Sequence, residues 1–198
     1  MNYRIEPIWA GKTVVILAGG PSLSAAQVRY VAMARLDDKC RVIAVNDTVY
    51  LAWWADWFHS ADFKFYQWHI QKIQHFKGMK TTVDPYVPAG WVTGRLEKTG
   101  KDGFSEDPSH VRGNNGGHQA ICCAVHAGAK KIILLGFDMK GSHWFGNHQN
   151  GINDRRPETM LPHFETLVSP LRDQGVEIVN CSPESALRCF HAASLESV

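Results

Sequence analysis

Four short runs of nearly unbroken apolar residues punctuate the chain: TVVILA (13–18), RVIAVN (41–46), KKIILLG (130–136) and VEIVNC (176–181). Consecutive rather than alternating apolar positions suit strands buried on both faces, as in a parallel sheet. Between these runs the pattern turns helical. Residues 24–36 carry Ala, Val, Met and Leu at helical spacing, and 117–128 (GHQAICCAVHAG) ends in a Gly suited to a helix C-terminus. Residues 158–174 follow Pro157, a residue favoured at helix starts, while Pro162 and Pro170 shorten or kink that segment. WFHSAD (57–62) and MKTTVD (79–84) read as weaker strands, and TVYLAWWADWF (48–58) as a core helix in preference to a subunit contact. The alternation predicts an α/β fold: a doubly wound, mostly parallel, Rossmann-like sheet with helices on both faces, forming one domain over residues 1–198. Residues 85–116, rich in Gly, Pro and charge, predict a long excursion at the sheet edge, serving as a lid or as a structural insertion.

Composition narrows the class. With 198 residues, 44% hydrophobic and 20% charged, the chain is long enough for a sizeable core and ordinary for a globular domain. A formal charge of +2 gives no strong nucleic-acid or anionic-membrane signal. No run approaches the length of a membrane span, and MNYRIEPIWAGK lacks a signal-peptide core, so a cytoplasmic setting is expected. Five cysteines, odd in number and without a C-x-x-C pair, read as buried free thiols rather than a zinc site.

The polar clusters follow strand ends, where doubly wound sheets bind ligands. After the first strand comes Gly19-Gly20-Pro21-Ser22, a turn whose backbone N–H groups, with the following helix N-terminus, suit an anion. It fits neither G-x-G-x-x-G nor the Walker pattern. Asn46 and Asp47 follow the second strand, placed to contact phosphate, ribose or base, or to cap a helix. Asp62 in SADFKFY holds a comparable place. Asn114, Asn115 and Gly116 belong to a Gly/Asn cluster that opens the third helix and makes a second nest of donors. Asp138 follows the third apolar run, with three roles open: holding Mg²⁺ on a diphosphate, orienting a histidine, or tying down its own loop. Beyond it lie His143 and His148, in a loop suited to a general base. A resident metal site is not expected.

Taken in order, "VVILAGGPSL … RVIAVND … NNGGHQAICCAVHAGAKKIILLGFDM … VEIVNCSPESAL" resembles a superfamily with two arms. One arm is the bacterial lipooligosaccharide sialyltransferases. The other is the archaeal 6-hydroxymethylpterin diphosphokinase-like group with its bacterial and phage members, and "HWFGNH" looks closest to short phage-borne ones. The resemblance implies a Rossmann-like domain for a nucleotide or nucleotide-sugar. Gly19, Gly20, Pro21 and Ser22 match its phosphate loop and Asn46 its nucleotide-contacting Asn. Asn115 and Gly116 fall where the sialyltransferases place a Ser-Gly pair. His148 matches the general base best, with His143 as deputy. The tyrosine pair that assists the leaving phosphate is not evident, and the 85–112 stretch has no clear counterpart.

Three readings follow. The first is nucleotide-activated, glycosyltransferase-like transfer from a nucleotide-sugar to a small-molecule or glycan acceptor. The second is a Mg²⁺-dependent diphosphokinase using Asp47, Asp62 and Asp138. The third is a nucleotide-binding phage protein without catalysis. Oligomeric state stays open, a homo-oligomer included.

Overall fold

The computed structural model describes residues 3–146 and 157–198. Its centre is an eight-stranded sheet. The four apolar runs supply β1 (Thr13–Leu17), β2 (Arg41–Val45), β8 (Lys131–Leu135) and β9 (Glu177–Asn180). The weaker candidates supply β3 (Trp57–His59) and β4 (Met79–Thr82). Two-residue edges, β5 (Gly94–Arg95) and β10 (His191–Ala192), complete it. The order is β10-β9-β8-β1-β2-β3-β4-β5, and every neighbouring pair is parallel. The chain therefore winds outward from β1 to β5, returns across the sheet, and winds outward again from β8 to β10. Its order reverses between β1 and β8.

Two apolar layers explain why the runs are continuous. Val14, Ile16, Ile132 and Leu134 pack on one face, and Val15, Leu17, Ile133 and Leu135 on the other. Helices α1 (Ala25–Leu36) and α2 (Phe63–Ile73) cover the second face through Val28, Val31, Phe65, Tyr66 and Ile73. Helix α3 (Gly116–His126) and the short α4 (Leu161–Glu165) and α5 (Val168–Asp173) cover the first. Four cysteines are buried, Cys189 is partly so, and all five are free thiols.

The 158–174 segment is shortened as the prolines lead one to expect: a 3-10 turn at Pro157–Met160 is followed by α4 and α5, since Pro162 and Pro170 each lack a backbone donor. Two expectations need revision. Residues 48–58 do not form a core helix: a 3-10 helix ends at Tyr50, Trp53 faces solvent and Trp57 lies in β3. The excursion does not cover the cleft described below. It carries a small parallel pair, β6 (Glu97–Lys98) and β7 (His110–Val111), against the outer side of α3. There the ring N–H of His126 donates to the His110 carbonyl and that of His118 to the Gly103 carbonyl. Only its ends, at Tyr86 and Asn115–Gly116, reach the cleft.

Candidate functional site

A cleft of about 610 Å³ opens over the carboxyl ends of the central strands, beside the point where the strand order reverses. Open α/β sheets place ligands there because the loops on either side diverge and leave a crevice. Gly19, Gly20, Asn46, Asp47, Asn115, Gly116 and His143 line it, whereas Pro21, Ser22, Asn114 and Asp138 do not.

The loop after β1 is closed upon itself. The Gly20 N–H donates to the Gly136 carbonyl at 2.9 Å, and the Leu23 N–H to the Gly20 carbonyl. Asp138 Oδ2 accepts from the Ser22 hydroxyl at 2.8 Å and from the Ser22 N–H at 3.3 Å. The place where an anion would sit on this turn thus holds the chain's own carboxylate. A Cβ on Gly20 would overlap that carboxylate and the Gly136 carbonyl, so the turn needs glycine. Helix α1 is shut off as well, by a capping box between Ser24 and Gln27. Of the predicted phosphate loop, the Gly19 N–H remains without a hydrogen bond among the described residues.

The N-terminus of α3 is different. Asn115 caps it by accepting the His118 N–H at 2.9 Å, while its own amide donates to Asn114 Oδ1. The N–H groups of Gly116 and Gly117 carry no hydrogen bond among the described residues, and both residues are buried against the cleft. Two donors without a partner at the positive end of a helix are of the kind that suit an anion. Glycine permits the close approach. A Cβ on Gly116 would stand 2.9 Å from Val45 Cγ1, and one on Gly117 2.8 Å from the Phe137 ring. At α2 the corresponding place is filled, since Asp84 Oδ2 accepts the Phe63 N–H at 2.9 Å. Asp62 is the N-cap residue of α2 but makes no capping bond.

Asn46 sits beside Gly116 in the left-handed backbone region, at φ +52°. Its Oδ1 is buried and has no hydrogen-bond partner among the described residues. A buried amide oxygen without a donor costs free energy, and in a cleft it marks a place for a ligand's hydroxyl or N–H.

His143 faces the same region. Its Nδ1 lies 3.2 Å from the Gly19 carbonyl, which also accepts the Trp144 N–H at 3.0 Å. A carbonyl only accepts, so Nδ1 carries the proton and, in the neutral ring, Nε2 carries the lone pair. The ring stacks on Phe145 with centroids 5.0 Å apart. His148, the first choice for a base, lies outside the described residues.

Behind the cleft runs a buried polar chain that the sequence reading missed. Trp57 Nε1–H donates to Thr81 Oγ1 at 2.7 Å, and the Thr81 hydroxyl pairs with His59 Nδ1 at 3.0 Å. His59 Nε2–H then meets Gln119 Oε1 at 2.9 Å, and the Gln119 amide donates to the Gly113 carbonyl. Burial pushes His59 down to about 4, against the opposing pull of its bond to Gln119. The chain ties β3 and β4 to α3 and to the turn that delivers Asn115. An H-x-x-x spacing gives no hint of such long-range pairing; only the position of His59 at a strand end did.

Of the three carboxylates named for Mg²⁺ on a diphosphate, Asp47 and Asp62 line the cleft and Asp138 does not. Asp138 is turned onto Ser22, and among the described residues no three His, Cys, Asp or Glu side chains group as metal ligands. Of its three roles, the bonds to Ser22 are those of tying down a loop.

No family model and no curated protein sequence matches the chain. Among solved structures it is similar to the MAf glycosyltransferase from Magnetospirillum magneticum AMB-1, with a TM-score of 0.68 and 14% identity. The match covers 100% of this chain and 36% of that protein, so this chain spans little more than a third of its length. At that identity the likeness shows a shared Rossmann-like fold. No described helix is long and apolar enough to cross a membrane.

Proposed function

We propose that the chain binds a nucleotide-activated donor and transfers its glycosyl group to an acceptor hydroxyl. The observation that carries this reading is the orphaned Asn46 Oδ1 beside the unpaired Gly116 and Gly117 N–H groups, in one cleft at the strand-order reversal. The helix donors suit the donor's phosphates, whose charge grows as the bond to the sugar breaks. Asn46 suits a ribose hydroxyl or base N–H. In transfer, the anomeric carbon–oxygen bond to phosphate breaks and a bond to the acceptor oxygen forms. Nε2 of His143 takes the acceptor's proton, and the Gly19 carbonyl fixes the tautomer. The fold shared with a glycosyltransferase supports the same class.

The loop after β1 takes a smaller part in this reading than its glycines suggest, contributing the Gly19 N–H and the Gly19 carbonyl. Mg²⁺, where present, arrives with the nucleotide. A thermal-shift screen of UDP, CDP, GDP, ADP, CMP and their sugar conjugates, with Mg²⁺ or EDTA, tests the reading. Stabilisation by one nucleotide and its conjugate, followed by turnover of that conjugate, is the expected result. Binding of ATP strictly dependent on Mg²⁺ favours diphosphoryl transfer instead, and binding without turnover favours a non-catalytic nucleotide-binding protein.

A further inference from the structure

The geometry points to a second compartment of this cleft, over β3 and β4, built for a neutral or amino-bearing pyranose and closed to sugar acids. This inference rests on the transferase reading and names the sugar class it would take.

Strands lie about 4.8 Å apart, so the β4 end of the cleft stands about 14 Å from β1, beyond the helix donors. Its lining changes in character. Lys64 and Trp68, four residues apart, share one face of α2, and Trp68 keeps 46% of its surface exposed. Tyr86, 77% exposed, lines the same end from the loop after β4. Exposed aromatic rings at a cleft mouth offer flat faces to the C–H side of a pyranose.

The carboxylates give the shelf its polarity. Asp62 and Asp84 line it, with Asp47 towards the centre, and among the described residues Lys64 is the lysine or arginine that lines this end. Asp84 is fixed at both oxygens: Oδ2 accepts the Phe63 N–H and Oδ1 the Tyr86 N–H, each at 2.9 Å. A carboxylate bound in this way still accepts from sugar hydroxyls one at a time. It lacks the open two-oxygen edge that guanine's paired N–H groups require, which favours a sugar over that base. A sugar carboxylate placed here would meet like charges, and an amine would meet opposite ones.

Saturation-transfer NMR on the intact protein tests the shelf without any nucleotide, using methyl β-glucoside, methyl β-glucosaminide, methyl β-glucuronide and guanosine. The glucoside and glucosaminide should bind, and the glucuronide should bind at least about tenfold more weakly. Trp68→Ala should abolish transfer to the neutral sugar. Asp62→Asn should narrow the gap between glucoside and glucuronide. Equal binding of the glucuronide, unchanged transfer in Trp68→Ala, response to guanosine alone, or no response to any sugar would each overturn the proposal. Nucleoside diphosphate binding is measured separately. Its failure beside intact sugar binding removes the transferase reading and leaves the shelf; intact nucleotide binding without sugar selectivity does the reverse.

Discussion

Asp138 Oδ2 accepts both the hydroxyl and the backbone N–H of Ser22, and in doing so fills the turn after β1 with a carboxylate of the chain's own. The bond joins residues 116 positions apart and fastens the ends of β1 and β8 on either side of the strand-order reversal. In the proposed site it divides the labour: this turn would support, and the α3 N-terminus would receive the ligand.

Removing that carboxylate should therefore cost stability before it costs binding. Asp138→Ala leaves the half-buried Ser22 donors without their partner, a loss of about 1–2 kcal/mol. Urea unfolding reads the stability, and calorimetric titration with the best nucleotide from the screen reads the affinity, which should change by less than about threefold. Unchanged stability with collapsed binding would return Asp138 to the ligand.

Asn46→Gly is the cleaner probe of the ligand contact. Glycine adopts the left-handed φ of +52° without strain, so the backbone should hold while the orphaned oxygen goes. Nucleotide affinity should fall about 5- to 30-fold, the worth of one or two hydrogen bonds, with little change in melting temperature. Affinity equal to that of the parent protein would detach Asn46 from the site.

The base assignment separates binding from turnover. His143→Ala should lower kcat by about 100-fold or more and leave nucleotide affinity nearly unchanged, since general-base catalysis contributes on that scale. Single-turnover kinetics of His143→Ala and His148→Ala side by side identify the residue. A full rate in His143→Ala would move the role elsewhere.

Stability should fall as pH drops from 7 to 5. Burial holds His59 and His118 at about 4, below the ordinary 6.5 of the unfolded chain. Between those values the unfolded state binds protons that the folded state refuses. The stabilisation is complete above 6.5 and is lost towards 4, with a slope of at most about 1.4 kcal/mol per pH unit for each histidine. His126, half-buried beside the His110 carbonyl, shifts in the same direction. Urea midpoints at pH 7, 6 and 5 check this, and a flat profile would contradict it.

Much of the frame was legible because β1, β2, β8 and β9 are buried on both faces and write themselves as apolar runs. Helix α2 was missed. Its stretch FKFYQWHIQKI is crowded with aromatics, and its first N–H is capped not by Asp62 but by Asp84, 21 residues on. In the site, Asn46, Asp47, Asn115, Gly116 and His143 line one cleft, since each follows the end of a strand or opens a helix there. What composition and spacing could not convey is which donors are already used. Gly20 and Ser22 look like a phosphate nest until Gly136 and Asp138 are seen to occupy it.

The central claim is that the phosphates of the ligand rest on α3 and not on the turn after β1. Proton–nitrogen correlation spectra of the labelled protein, titrated with UDP, CDP, GDP and ADP, test it directly. The amide signals of Gly116 and Gly117 should move downfield with the nucleotide that binds, together with the side-chain amide of Asn46, while those of Gly20 and Ser22 stay close to their starting positions. Large shifts at Gly20 and Ser22 with Gly116 and Gly117 unmoved, or no shift at α3 with any nucleotide, would contradict it.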